Sequence, residues 1–427
     1  MRQKIKRLLK DDFILHTAIV FLGTTLVGVF NLLYHLVTVR LLSPEDYGTF
    51  NALVSFIMLT SMAISPLGTT LTRFFTEYIA KGNLATLFFS FKKLIKRLFI
   101  IAGVITGLCF AISPFLAGFL KTKILYVFIC GGVIVLSLFS PPLISLFQSF
   151  QKFTVYSLLG ITSSLGKLIF GGLLMLLGAK LLGALLGFLA GPVVIVLAAL
   201  FFIPAILQKE MGHIDKTATL TVNLVPIYKY FFPVGVIMVS FTFLTTIDVI
   251  LVKHFFSPLD AGYYSIAQMV GKIALFLPSA LAIVILPKTT KAHVTEGSSI
   301  KLLYKSLFLA GVCCFFFTLF SFLFPDLLLT ILTGKLNPIS RELVGLFALA
   351  MSFYALTWIV INYSLATHNL KITLPLVLIT ALEIIIIYNC HPSLAMVLYI
   401  LLIFGIISLF SSLLAVRATQ KRIILPV

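Results

Sequence analysis

Apolar runs of about twenty residues or more recur twelve times along this chain, and a run of that length with few charges suits a helix crossing about 30 Å of hydrocarbon. They lie near residues 13–38, 49–77, 98–119, 124–148, 157–179, 181–207, 231–252, 261–286, 303–325, 343–366, 371–389 and 393–416. A chain that is 60% hydrophobic and 11% charged has more apolar surface than a water-soluble core of 427 residues can enclose. The bilayer is therefore the solvent, and backbone groups that meet no water there must be paired inside their own segments, which calls for helices. The prediction is an all-α membrane protein of about twelve transmembrane helices.

The basic stretch Met1-Arg2-Gln3-Lys4-Ile5-Lys6-Arg7 before the first run has the look of a signal peptide. The run behind it is too long and lacks a small-residue cleavage site, so it is read as helix one. Cys109, Cys130, Cys313, Cys314 and Cys390 lie in or beside apolar segments without CxxC or metal-ligand spacing, and read as small hydrophobes. No metal and no cofactor are expected.

A formal net charge of +19 would suggest nucleic acid in a soluble protein, but here its distribution argues for a membrane and against nucleic acid. With the N-terminus inside, the inner loops and termini hold 22 Lys and Arg and the outer loops seven. The positive-inside rule then places both termini in the cytoplasm of a multi-pass protein of the cell (inner or plasma) membrane. The run Lys92-Lys93-Leu94-Ile95-Lys96-Arg97 beside Phe88, Phe89 and Phe91 reads as an anchor on anionic membrane lipids.

The chain also repeats itself. Ser43-Pro44-Glu45-Asp46-Tyr47-Gly48 returns as Ser257-Pro258-Leu259-Asp260-Ala261-Gly262, an offset of 214 residues. The same offset pairs Phe50 with Tyr264, Ser65 with Ser279, Leu71 with Ile285 and Thr76 with Thr290. Six spans per repeat is an even number, so the repeats run parallel. Two six-helix lobes around a central cavity are predicted, with boundaries at 1–207 and 231–427 and the polar segment 208–230 as a cytoplasmic linker. Locally, Ser-Pro-x-Asp-x-Gly reads as turn chemistry, with Pro presetting φ, Asp bonding the backbone ahead and Gly accepting positive φ.

Arg40-Leu41-Leu42 followed by the first motif resembles the first outer loop of the polysaccharide flippases of the O-antigen repeat-unit type. Asp248-Val249-Ile250-Leu251-Val252 followed by Ser257 to Ala267 resembles their second lobe. That family belongs to the multidrug, oligosaccharidyl-lipid and polysaccharide exporter superfamily. The resemblance implies twelve to fourteen helices, alternating access, and movement of a polyprenyl-diphosphate-linked glycan from inner to outer leaflet. Polysaccharide-assembly proteins are further candidate partners.

Moving a diphosphate and sugars through hydrocarbon needs polar, cationic surface inside the protein. Thr17, Thr24, Asn31 and Thr38 recur every seven residues in helix one, drifting about 20° per step, with His35 one turn from Asn31. Ser265, Gln268, Lys272 and Ser279 share a face of helix eight. The competing reading of each hydroxyl is a bond back to its own helix.

Charges inside spans cost roughly 2.5 to 3.5 kcal/mol at a helix centre, so they are functional candidates. Lys272, Lys167 and Arg73, with Gln268, Asn31 and His35, are the substrate-binding candidates. Gly166 and Gly171-Gly172 also suit close packing around Lys167, and Arg73 is near enough to the inner end to snorkel. Asp248 and Glu383 are the ion-coupling candidates. Asp248 has a second reading as the ion-pair partner of Lys272, and Glu383 as a packing or outward-facing residue.

No nucleotide loop, catalytic triad or metal cluster is present in the sequence, so an enzyme is not expected. The competing function is a multidrug or other amphiphile exporter driven by a proton or sodium gradient. Its cationic cargo would favour acidic rather than basic buried residues.

Overall fold

The computed structural model describes the backbone of residues 12–210, 225–278, 300–367 and 370–423, and the side chains of 19–202, 231–278, 300–367 and 370–417. Thr17, Ser279, most of the 208–230 linker and both extreme termini lie outside the residues so described. Among the described residues every regular element is a helix.

The first half holds α1 (Asp12–Leu41), α2 (Pro44–Ala80), α3 (Leu84–Phe119), α4 (Ile124–Ser137), α5 (Ser140–Ser149), α6 (Phe153–Leu174) and α7 (Lys180–Glu210). The second holds α8 (Val225–Phe255), α9 (Pro258–Phe276), α10 (Ile300–Leu323), α11 (Pro325–Thr333), α12 (Pro338–Ala366), α13 (Thr373–Asn389) and α14 (Leu394–Ile423). The all-α membrane reading holds, with two refinements. The fourth apolar run is broken into α4 and α5 ahead of Pro141, which sits in the first turn of α5 where a missing N–H costs nothing. The nine-residue α11 follows the ninth run and stops at Gly334, left-handed at φ 68°.

Among the described residues, ten stretches are long and apolar enough to cross a membrane by length and composition. One of them, Phe153–Phe202, contains both α6 and α7, which reverse at a π-helical turn where Gly178 takes φ 91°. Helix α9 opens the apolar run 261–286, whose described part ends at residue 278 and carries Gln268 and Lys272. Large hydrophobics elsewhere stand open, Phe201 at 78% and Phe115 and Phe308 at 73%, a pattern stable only against lipid tails.

Helix packing divides the chain into two compact units, Met1–Leu42 with Ile64–Phe232, and Ser43–Ala63 with Pro233–Val427. Residues 43–63, the first half of α2, therefore group with the second half of the chain, although the sequence-based boundaries assign them to the first.

In the first unit, Leu71, Phe75, Leu87, Leu146 and Phe147 are completely buried in one apolar cluster. Small polar side chains then tie α5 to α2: Ser145 Oγ donates to the Gly68 carbonyl at 2.8 Å and Thr72 Oγ1 to Gln148 Oε1 at 3.0 Å. Helices α6 and α7 meet through glycine, since a Cβ on Gly187 would lie 2.5 Å from the Gly171 Cα. In the second unit α9 packs on α12, with Gly271 against Phe347 and the Tyr264 ring edge-on to Phe347 at 4.8 Å. Lipid tails are as apolar as leucine, so such close approach and interhelical hydrogen bonding hold helices together where the hydrophobic effect does not.

The repeated motif corrects its own sequence reading. Ser43 and Ser257 are helix N-caps: Ser43 Oγ accepts from the Asp46 amide at 3.2 Å and Ser257 Oγ from the Asp260 amide at 3.1 Å. Ser257 Oγ also donates to the Asp260 carboxylate at 2.7 Å, a reciprocal arrangement akin to a capping box. The prolines occupy first-turn positions. Neither glycine has positive φ. Instead the two touch: a Cβ on Gly48 would lie 2.7 Å from the Gly262 amide nitrogen, and one on Gly262 would collide with the Pro44 carbonyl. Glycine is required at both positions because α2 and α9 cross with their backbones in contact.

Gly262→Ala should lower the unfolding temperature of the purified protein by several degrees, because the methyl group meets backbone that cannot rotate away. Gly172→Ala, with nothing within 4 Å of the added carbon, should leave it unchanged or raise it. Equal effects of the two substitutions would count against the close crossing.

Candidate ion and substrate sites

Two buried polar clusters stand out, one in each unit. In the second unit α8 turns Asp248 inward until it is completely buried. Its carboxylate accepts from the Tyr264 hydroxyl at 2.9 Å and from Gln268 Nε2 at 3.0 and 3.2 Å. Tyr264 and Gln268 are four residues apart on α9 and so face Asp248 together. Gln268 in turn accepts from Asn51 Nδ2 of α2 at 2.9 Å, which joins three helices in one chain of hydrogen bonds.

Glu383 of α13 is also completely buried. Its Oε2 accepts from the Tyr354 hydroxyl at 2.8 Å, and the same hydroxyl lies 3.0 Å from the Leu401 carbonyl of α14. The other oxygen, Oε1, has no hydrogen-bond partner, and neither does the buried Ser265 Oγ on α9. Asp248 lies within electrostatic reach of both Glu383 and Lys272. Lys272 is half-buried and, among the described residues, makes no ion pair or hydrogen bond. The oxygens of Asp248 are thus taken by Tyr264 and Gln268 rather than by the lysine. Of these two buried carboxylates Glu383 keeps one oxygen without a hydrogen-bond partner, which leaves it able to accept a proton. Among the described residues, no group of three or more His, Cys, Asp and Glu is placed to hold a metal ion.

In the first unit the charge is reversed. Lys167 of α6 is only 8% exposed, and its ammonium donates to Asn31 Oδ1 of α1 at 2.5 Å. The same nitrogen sits 4.7 Å from the centroid of the Tyr34 ring and 4.4 Å from that of Phe188 on α7. Asn31 is oriented by its own Nδ2, which donates to the Val27 carbonyl at 2.9 Å. Tyr34 is fixed by a hydrogen bond from its hydroxyl to the Ala184 carbonyl. The ammonium therefore rests on an amide oxygen and two π faces. His35 is half-buried with its ring edge-on to Tyr34 at 5.9 Å.

The sequence-based candidates thus separate into Asn31, His35 and Lys167 in one unit and Asp248, Gln268, Lys272 and Glu383 in the other. Arg73 belongs to neither group: it is exposed, one turn from Glu77, which pairs with Lys81 at 2.6 Å. Of the helix-one stripe, Thr24 is exposed and returns its hydroxyl to the Val20 carbonyl at 2.9 Å, while Thr38 returns its own to Tyr34 at 2.7 Å. Among the described members of that set, Asn31 is the one that reaches another helix. Sequence reasoning missed Tyr34, Phe188, Asn51, Tyr264 and Tyr354. Two signals were available: at the 214-residue offset Tyr34 falls on Asp248, and Tyr264 lies inside the second family-like segment.

Comparison with known proteins places the fold. The structure superposes on an inward-facing multidrug resistance MATE family transporter of the MOP superfamily with a TM-score of 0.69 at 14% identity, covering 93% of this chain and 94% of that one. It matches the lipid II flippase MurJ, in an inward closed conformation, with the same TM-score at 17% identity, covering 93% and 87%. A MOP superfamily transporter from Pyrococcus furiosus, described as having a binding pocket of reverse polarity, gives 0.59 at 15% identity with 97% of each chain covered. No curated protein matches the chain in sequence. The family model described as polysaccharide biosynthesis protein matches residues 15–293. With more than half its length matched by that model, the chain belongs to the polysaccharide biosynthesis protein family, and it carries the multi-pass helical fold of the MOP superfamily transporters.

Proposed function

We propose that this protein is a flippase that moves a polyprenyl-diphosphate-linked oligosaccharide from the inner to the outer leaflet of the cell membrane by alternating access, for surface polysaccharide synthesis. The observation that carries this reading is Lys272, a half-buried ammonium within a helix of the apolar bundle and without an ion pair among the described residues. A cation kept there at a cost of a few kcal/mol is understandable if an anionic substrate completes it. Diphosphate supplies the required charge and acceptor oxygens. Family membership and the fold shared with a lipid II flippase support the same cargo class.

Lys167, with Asn31 and His35, is the second substrate contact in this reading, and Arg73 and Gln268 are lesser ones. Asp248 and Glu383 form the ion-coupling site, and the 22-to-seven excess of basic residues supports cytoplasmic termini. The two buried carboxylates also suit a second reading, a multidrug or other amphiphile exporter driven by a proton or sodium gradient. Labelled cationic drugs that still bind Lys272→Glu and Lys167→Glu variants would favour that reading over the flippase.

Lys272→Ala should abolish polysaccharide export at matched membrane levels. Loss of a charge-assisted contact is worth about 1.5 to 3 kcal/mol, or about ten- to 150-fold in affinity for a diphosphate. Full surface polysaccharide in that variant would refute the assignment. Asp248→Asn should leave insertion intact but remove the response of transport in proteoliposomes to an imposed proton or sodium gradient. An undiminished gradient response would exclude Asp248 from coupling.

A further inference from the structure

Lys167 sits in a site built from neutral groups. Its ammonium has three donors, yet its described partners are one amide oxygen and the faces of Tyr34 and Phe188. A desolvated cation is well held by two rings and a carbonyl, but its charge is not cancelled. The same contacts tie together three helices: Asn31 and Tyr34 belong to α1, Lys167 to α6 and Phe188 to α7.

The three helices are not held equally. Helices α6 and α7 share a glycine seam at Gly171 and Gly187, where backbones meet and little adjustment is open. Helix α1 meets α6 through glycine against side chain, with Gly23 close to the Ser157 Cβ and Gly160 close to Val27, and its other side is open: 11% of its apolar window is buried, and Phe21, Leu22, Val29 and Leu32 are exposed. Among the described residues its polar links to α6 and α7 include Lys167 to Asn31, Tyr34 to the Ala184 carbonyl and Ser157 Oγ to the Ile19 carbonyl at 3.3 Å. The ammonium is the charged one among these, and so the one that an anion can compete for.

We propose that Lys167, Asn31, Tyr34 and Phe188 form an anion-operated clasp, in which a diphosphate draws the ammonium off Asn31 and the two rings and thereby loosens α1 from α6 and α7. The inference rests on the diphosphate reading given above. It makes Asn31 a competitor of the substrate rather than a ligand for it, and it gives Tyr34 and Phe188 the role of storing the cation between turnovers. Diphosphate oxygens offer full negative charge where the resting site offers only dipoles and quadrupoles, so the exchange runs towards the anion once it is within reach. Because the clasp spans α1, binding at one side chain is converted into freedom of a whole helix.

The test is hydrogen exchange by mass spectrometry on the full-length protein in lipid nanodiscs, with inorganic pyrophosphate or farnesyl diphosphate as probe and calorimetry to measure binding. At saturating diphosphate, exchange across residues 27–38 of α1 should rise about fivefold or more, while the α6–α7 seam stays protected. In Lys167→Gln the rise should vanish and the ligand-free protein should already exchange faster. In Lys272→Ala the affinity should fall while the rise at saturation remains. Asn31→Ala should bind diphosphate about threefold to tenfold more tightly, because a competitor for the ammonium has gone.

Weaker binding in Asn31→Ala, or binding without a change in α1, would overturn the clasp and leave the flippase reading standing. Failure of either diphosphate to bind the unaltered protein would overturn both.

Discussion

The absence of water from the bilayer core is the constraint on which the rest of the structure depends. It forces backbone polar groups to pair within helices, and it removes the hydrophobic driving force that would otherwise gather those helices. What remains is close contact and hydrogen bonding. The glycine crossings at Gly48 with Gly262, Gly171 with Gly187 and Gly271 with Phe347 supply the first, and the α2–α5 hydroxyl links and the Asn51–Gln268–Asp248 chain supply the second. Every buried charge in this protein is placed against that background. A lysine or carboxylate that would be unremarked on a soluble surface needs here a partner, a functional reason, or both.

The two units answer that demand with opposite signs. The first stores an ammonium against π faces and an amide oxygen. The second stores two carboxylates, each held by a tyrosine hydroxyl and one also by glutamine. Yet the halves are repeats, and at the shared offset the phenol of Tyr34 stands where the carboxylate of Asp248 stands. The proximity of Lys272 to the acidic cluster gives the second unit both signs at once.

The repeated motif shows how a correct signal can carry the wrong local explanation. Serine, proline and aspartate were legible as chain-reversal chemistry, and they do form N-caps with proline in the first turn. Glycine was read by the commonest reason for glycine, positive φ. Its reason here is the passage of another backbone, and that depends on a helix 214 residues away. Likewise, the seven-residue stripe of helix one marked a polar face, but Thr24 and Thr38 satisfy themselves on their own carbonyls. A hydroxyl can close that bond locally and a longer amide can reach out, and Asn31 does cross to α6.

By itself the sequence determined the solvent, the helical class, the number of apolar runs, the 214-residue internal repeat and the short roster of charged residues worth attention. All of these follow from composition, periodicity and offset, which are properties of the chain taken in order. Only the tertiary structure decided which of those residues meet. Asn31 and Lys167 are 136 positions apart, Thr380 and Ser240 are 140 apart, and the rings over Lys167 come from two further places in the chain. Such pairings depend on the rotation of each helix about its axis and on which glycines let backbones approach. Neither is encoded in a local pattern, because most of a helix surface in hydrocarbon is apolar on both its lipid-facing and its protein-facing side.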